Sequence, residues 1–255
     1  MLYRLKRHPI AVRALFRHSL VLTYALPHQL LQSLLPPGLT LDTFGEFGFL
    51  AVAMVQTESL RPTFLPSVLG RDFFLSGYRI FARFNSSTGR SLRGLRILRS
   101  DTNNRLMAFF GNLLTHYRYR YANVSVRESD DELEITIATP NAEADLRVIA
   151  KIGKEAPRLP SGSPFPDLHQ ARLFAGPLPF TFDYEPETHS IVRIEGVRKN
   201  WRPRSVAVEV LQNTFLEHAP FRKAQPILAN AFHVRDIDYC WRRGVRERLP
   251  QDGHS

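Results

Sequence analysis

One short run of alternating residue types carries most of the side chains that could do chemistry. It reads H-Y-R-Y-R-Y and starts at His116. On a strand, neighbouring side chains point to opposite faces, so the three tyrosines share one face and His116, Arg118 and Arg120 share the other. A cavity lined by the arginine face would bind anions, and one lined by the tyrosine face would be an aromatic pocket. The plainer alternative is a sheet with packed tyrosines and solvated arginines. We take His116, Tyr117, Arg118 and Tyr119 as candidate binding residues.

Two further arginines stand alone in otherwise apolar strands. Arg17 precedes the run H-S-L-V-L-T-Y-A-L, and Arg79 lies within L-S-G-Y-R-I-F-A. A buried guanidinium is costly unless a partner compensates its charge. Each arginine therefore either pairs with an acid of the protein or holds the carboxylate of a ligand, and the sequence leaves both alternatives open.

The chain is strongly basic, with a net charge of +10 over 255 residues. Arg90, Arg93, Arg96 and Arg99 recur at every third position. They predict either a solvated surface or a track for phosphates, with the nearby tyrosines as stacking platforms. A basic surface that binds single-stranded nucleic acid or anionic lipid is therefore the alternative function.

Several classes of protein are disfavoured by what the sequence lacks. Cys240 is the only cysteine, and the nine histidines show no paired ligand spacing, so we expect neither a disulfide, a metal site nor a cofactor. The chain carries no P-loop, G-x-S-x-G, H-E-x-x-H or glycine-rich dinucleotide motif. The apolar run Phe47–Val55 is too short to cross a bilayer, and the first residues lack the features of a signal peptide. We therefore expect a cytoplasmic protein without a transmembrane segment.

Strands must position most of these residues. We expect strands over residues 18–26, 39–42, 47–55, 73–84, 91–98, 117–126, 133–138, 144–150, 180–184, 191–197, 205–211 and 231–241. They do not alternate regularly with helices, which favours an α+β fold of mainly antiparallel strands, shaped as a barrel with a few short helices. We expect one domain over residues 1–245 and a charged flexible tail over residues 246–255.

One helix has a clear apolar stripe with the spacing i, i+3, i+4, i+7 and i+8. The stripe consists of Leu106, Phe109, Phe110, Leu113 and Leu114. We expect Asp101 or Thr102 to cap this helix and the helix to pack against the barrel.

The order of elements resembles the acetoacetate decarboxylase superfamily. The stretch R-H-S-L-V-L-T-Y-A-L-P-H-Q-L-L-Q-S-L-L-P-P-G-L-T-L-D is similar to the arginine-bearing strand, short helix and proline turn of that family. The segments F-L-A-V-A-M, L-S-G-Y-R-I-F-A-R-F-N and I-L-A-N-A-F-H-V-R-D-I-D-Y resemble later strands of its barrel. The resemblance implies the same fold and a pocket arginine at Arg17.

The resemblance fails at the residues of the family's reaction. Leu50 and Leu75 stand where the decarboxylases carry pocket glutamates, and no lysine occurs between Lys6 and Lys151 to form the Schiff base. Arginine cannot replace that lysine, because its guanidinium stays protonated and is a poor nucleophile. The chain is more similar to an uncharacterised branch of the superfamily that lacks the lysine, with Arg79 as its pocket arginine.

Together these observations predict a pocket for a small organic acid, without Schiff-base decarboxylase activity. Arg17 and Arg79 would hold the carboxylate of this small anionic ligand, and Tyr117 or Tyr119 would shape the pocket. Whether the protein is an enzyme stays open, because the sequence assigns no catalytic residue, although His116 or a tyrosine could carry a proton. A structural role or homo-oligomer formation is a third alternative.

Overall fold

Two β-sheets dominate the computed structural model, which describes residues 2–153 and 158–250. The larger sheet contains β1 (Val12–Pro27), β2 (Leu39–Leu41), β3 (Thr43–Phe44), β4 (Phe47–Pro62), β5 (Arg71–Asn85), β6 (Ser91–Thr102), β7 (Tyr119–Tyr121), β11 (Phe180–Glu185), β12 (Ser190–Arg198), β13 (Arg204–Ser205), β15 (Ile227–Trp241) and β16 (Val245–Arg248). The smaller sheet contains β8 (Asn123–Glu128), β9 (Glu132–Ala138), β10 (Leu146–Lys151) and β14 (Ala207–Asn213).

Helices in the described residues are few and short. They are α1 (His28–Gln32), α2 (Arg105–Leu114), α3 (Leu168–Ala175) and α4 (Thr214–Glu217), with 3₁₀ turns at Leu2–Arg7, Ser67–Leu69, Pro140–Ala142, Pro186–Thr188 and Arg222–Ala224. The expected mainly antiparallel α+β fold is confirmed.

The larger sheet closes on itself. Its strands follow the order β15-β1-β4-β5-β6-β11-β12, and β12 pairs again with β15, where Gly196 lies opposite Trp241. Neighbours are antiparallel except at β6–β11 and β6–β7, which are parallel. The closed ring gives the large sheet an inside and an outside, as the predicted barrel requires.

Side chains on β1, β4 and β5 divide between these two faces with period two. The outward set includes Leu20, Leu22, Leu50, Val52 and Met54, and it packs on the smaller sheet through residues such as Ile135 and Val148. The inward set includes Val21, Ala51, Ala53, Leu75 and Arg79. Both faces of the central strands are therefore buried, which explains their nearly continuous apolar sequences.

A β-bulge interrupts this alternation at Arg17. Against β4, Phe16 pairs with Thr57 and His18 pairs with Gln56, so β1 holds one extra residue between them. A single extra residue exchanges the two faces of a strand on either side of it. Strict alternation from the inward-pointing Val21 would place Arg17 inside the barrel. Because of the bulge, Phe16 points inward instead.

Helix α2 packs against the barrel as expected, but not through most of its apolar stripe. Leu106, Phe109 and Phe110 are 63%, 64% and 51% exposed. The helix contacts the sheet through Met107 and Gly111, because glycine lets the helix backbone approach the ring of Tyr119 closely. The capping prediction was wrong, since Asp101 and Thr102 lie in β6 and the side chain of Asn104 caps the helix.

The charged C-terminal stretch differs from the flexible tail that the sequence suggested. Residues 245–248 form β16, which pairs with β12 from Ser190 to Arg193, and Leu249 is buried. Strand pairing through the backbone tolerates charged side chains at an edge, so the composition of this stretch concealed a strand. Residues 251–255 lie outside the described part of the chain.

Candidate functional site

A cavity of about 110 Å³ lies inside the closed ring of the larger sheet. Its apolar part comes from the inward side chains of β1, β4, β5 and β6. Its polar side chains include Ser19, Arg79, Tyr117, Tyr119, Thr181, Arg198, Trp201 and Tyr239. The small residues Ala51, Ala53 and Gly77, adjacent across β4 and β5, leave space in front of Arg79.

Arg79 supplies a positive charge to this cavity. It lies opposite Ala51 on β4 and is half-buried. Among the described residues its guanidinium makes no ion pair or hydrogen bond, and its Nε is fully buried without a partner. An arginine in this position retains its hydrogen-bonding capacity for a bound anion.

Two other buried donors of the cavity wall lack partners in the described structure. The hydroxyl of Tyr117 and the indole Nε1 of Trp201 are both buried without a hydrogen bond of normal geometry. Burial raises the pKa of Tyr117 well above its ordinary value, partly opposed by the nearby hydroxyl of Thr181. Burial likewise raises the pKa of Tyr119, against the lowering effect of Arg79. Both phenols are therefore neutral at physiological pH and available as donors.

Arg198 brings a second guanidinium to the cavity. Its Nη2 donates to the carbonyl of Leu178 at 2.9 Å, and its charge lies 5.1 Å from the ring centre of Trp201 and 5.4 Å from that of Tyr239. These cation–π contacts hold the side chain against the aromatic wall.

Negative charge is missing from the described cavity wall, which contains no aspartate or glutamate. Lysine is missing there as well. Two guanidiniums and two unpartnered donors thus face a space inside the barrel, where charge-assisted hydrogen bonds are stronger than in bulk water. The described wall is therefore electropositive and contains no amine.

The structure brings together only some of the predicted site residues. Arg79, Tyr117 and Tyr119 line the cavity, so the tyrosine face of the alternating run points inward. His116 and Arg118 lie in a different, polar groove beside Lys6 and Glu187. The run is also not one continuous strand, since Arg118 has φ of 54° and β7 begins at Tyr119.

Arg17 lies outside the cavity. Its Nη1 forms an ion pair with Oδ1 of Asp236 at 2.9 Å, and the two side chains are 43% and 53% exposed. The bulge described above turns the side chain away from the barrel interior. The suggestion that Arg17 and Arg79 hold one carboxylate together does not match this geometry.

The arginines of β6 are largely engaged by acids. Arg93 pairs with the buried Asp42 at 2.6 Å, Arg96 pairs with the buried Asp183 at 2.6 Å, and Arg99 pairs with Asp101 at 2.8 Å. Arg90, which precedes β6, is the only exposed residue among the four arginines that recur at every third position. These three guanidiniums support the fold through internal ion pairs, so they do not form the free phosphate track that their spacing suggested.

Sequence reasoning missed Arg198 and Trp201. Trp201 lies in the segment N-W-R-P-R, and its indole lines the cavity. The sequence signal for Trp201 was an aromatic side chain with a polar N–H close to Pro203. Tryptophan is enriched where its ring is buried and its N–H reaches a polar partner or water. Of the two leucines that replace the family's glutamates, Leu75 lines the cavity while Leu50 packs outside the barrel.

The described residues contain neither a metal-ligand cluster nor a membrane-spanning helix. No cluster of three or more His, Cys, Asp or Glu side chains could hold a metal ion there. None of the helices in the same residues combines the length and apolar character needed to cross a membrane.

Comparisons with known proteins agree with this architecture. A family model described as an uncharacterized conserved protein, DUF2071, matches residues 13–235.

Similar solved structures include an acetoacetate decarboxylase from Legionella pneumophila, at 14% identity and TM-score 0.62 over 94% of this chain and 88% of that one. Another is an acetoacetate decarboxylase-like enzyme from Sphingomonas wittichii RW1, at 12% identity and TM-score 0.60 over 95% and 93%. A third is the enduracididine biosynthesis enzyme MppR complexed with pyruvate, at 10% identity and TM-score 0.59 over 93% and 90%. A search of curated proteins gave no match. At these identities the structural likeness shows the acetoacetate decarboxylase-like fold, as the sequence resemblance implied.

Proposed function

The chain belongs to the DUF2071 family of uncharacterized conserved proteins, and we propose that it binds a small organic acid through Arg79 inside the barrel. In this proposal the carboxylate accepts hydrogen bonds from the Arg79 guanidinium, and the ligand's remainder contacts the apolar wall. Tyr117 and Trp201 donate to further oxygens of the ligand. The ligand is held without a covalent bond to the protein.

The observation that carries the proposal is the guanidinium of Arg79, which lacks an ion-pair partner in the described structure. Arg93, Arg96 and Arg99 on the neighbouring strand each have a carboxylate partner. A charge left without one inside a barrel costs stability, and an anionic ligand compensates that cost when it binds. Pyruvate, with which MppR is complexed, has the size and charge expected here.

The same wall supports binding without Schiff-base chemistry. An imine needs a neutral amine that reaches the carbonyl carbon of the ligand. The described cavity wall offers guanidiniums, phenols, hydroxyls and an indole, and it has no lysine. The proposal is therefore one of non-covalent binding, and it assigns no catalytic step.

Thermal-shift and calorimetric titrations with acetate and pyruvate test the proposal. Wild type should be stabilised by both, and Arg79→Met should weaken binding at least about 30-fold, since losing one partner of a buried charge pair costs ~2–5 kcal/mol. Arg17→Met is the matched control, because Arg17 forms its ion pair outside the cavity. It should bind as wild type does.

Acetamide provides a neutral ligand of similar shape and should not bind. The proposal would be wrong if no carboxylate bound to wild type, or if Arg79→Met bound carboxylates as well as Arg17→Met. Unfolding of both variants without ligand should be measured in parallel, so that a folding defect is not mistaken for a loss of binding.

A further inference from the structure

An apolar groove of about 280 Å³ lies on the other side of the cavity wall. It runs between the chain before β1, the end of β4 and helix α2, where Ile10, Pro62, Met107 and Phe110 line it. No Asp, Glu, Lys or Arg side chain is among its described lining residues, in contrast to the cavity with Arg79. The groove is thus suited to a hydrocarbon group rather than to an anion.

The cavity and the groove share one wall. Leu75, Tyr117, Tyr119 and Trp241 line both spaces. The Tyr119 ring lies against Gly111 of α2, where any side chain would collide with it. These four side chains therefore lie between the charged cavity and the groove.

The rim of the groove is unusually apolar for an exposed surface. Ile10 is 38% exposed and Phe110 is 51% exposed, although both line the groove. Leu106 and Phe109 extend this exposed surface along α2, and Phe64 is exposed two residues after Pro62. Contiguous exposed apolar surface of this kind marks binding sites. The wall shared with the cavity indicates what binds here.

We infer that the acid bound in the cavity is amphipathic: its carboxylate lies at Arg79, and its hydrocarbon chain passes the wall between Tyr117, Tyr119 and Trp241 into the groove. This inference rests on the proposed function and specifies its ligand class as medium-chain carboxylic acids. The cavity alone is small, whereas cavity and groove together reach the ~300–1,000 Å³ typical of ligand sites. Arg79 determines the position of the head group, and the groove selects for chain length.

Titration calorimetry with straight-chain carboxylates of about four to about twelve carbons tests the inference. Each methylene that enters the groove should tighten binding about fourfold, until the groove is full. Phe110→Asp should abolish this gain with length but leave acetate binding unchanged. Phe109→Asp is the matched control, because Phe109 is the adjacent aromatic residue, is 64% exposed and does not line the groove. It should retain the gain.

The outcomes separate this inference from the proposed function. If short acids bind through Arg79 but affinity does not rise with length, or if Phe109→Asp and Phe110→Asp behave alike, the inference is wrong and the proposed function stands. If no acid of any length depends on Arg79 for binding, both are wrong.

Alcohols of the same lengths should bind at least about 30-fold more weakly, and equal binding would overturn the placement of the head group. Sedimentation of wild type, Phe109→Asp and Phe110→Asp should also be compared. A wild-type dimer that dissociates in both variants would mean that a second copy of the chain covers this face, and the inference would be wrong.

Discussion

His18 and His233 contact each other where β1 and β15 of the larger sheet meet β8 of the smaller one. Nδ1 of His18 lies 3.1 Å from Nε2 of His233, and Nε2 of His18 lies 3.1 Å from Oε2 of Glu128. Both imidazoles are buried. Burial, the neighbouring His18 and then Arg235 lower the pKa of His233 to about 4, with Glu128 opposing them. The pair therefore links the two sheets in a form that is neutral at physiological pH.

Acid should weaken the fold through His233. In the unfolded chain this histidine takes up a proton near pH ~6.5, but in the fold it does so only near pH 4. The unfolded state thus binds more protons between these values, so the stabilisation present above about pH 6.5 is lost as the pH falls towards about 4. Urea unfolding across this range should show a smaller loss for His233→Gln than for wild type. His169→Gln, at an exposed position, should lose as much as wild type, and identical slopes for all three proteins would contradict the assignment.

Arg96 should be essential to the fold because of Asp183. Its Nη1 lies 2.6 Å from Oδ1 of that buried carboxylate, whose Oδ2 has no partner in the described structure. Burial raises the pKa of Asp183 to about 6 despite Arg96. Arg96→Met should cost ~3–5 kcal/mol at about pH 8, where Asp183 of wild type is charged and paired, and less at about pH 5, where it is protonated. Chemical unfolding at both pH values checks this. Arg90→Met, which removes an exposed arginine of the same sequence pattern, should stay within about 0.5 kcal/mol of wild type.

Gly111 should not tolerate alanine, although it lies inside helix α2. Alanine normally stabilises a helix by ~1 kcal/mol relative to glycine. Here the added Cβ would lie 2.4 Å from the ring of Tyr119, so Gly111→Ala should destabilise the protein by about 1–3 kcal/mol. In a Tyr119→Ala background the same substitution should become neutral or stabilising. Thermal unfolding of the four proteins of this cycle measures the coupling, and additive effects would show that the helix does not rest on Tyr119.

Borohydride should trap no imine on this protein. The described cavity wall has no lysine, so treatment with pyruvate and borohydride should leave the protein mass unchanged. An acetoacetate decarboxylase treated in the same way serves as the positive control. A lysine adduct located by peptide mass spectrometry would overturn the non-covalent part of the proposal.

The sequence alone determined the features that depend on local runs of residues and on residue type. Many apolar runs of strand length, without regular alternation with helices, predicted the barrel-like antiparallel fold, and the lysine-free stretch from Lys6 to Lys151 argued against a Schiff base. Arg79 could be selected because a single arginine in an apolar strand needs a partner or a ligand. Each of these inferences depends only on neighbouring residues or on composition.

Tertiary structure decided everything that depends on long-range register and pairing. The bulge at Arg17 exchanged the faces of β1 and moved that arginine out of the barrel, and a bulge leaves no reliable mark in the sequence. Asp42 and Asp183 engage arginines of β6 from 51 and 87 residues away, so period alone could not distinguish a free arginine from a paired one. Gly111, rather than the apolar stripe, oriented α2, since close packing of the backbone on Tyr119 outweighed the pattern of large side chains.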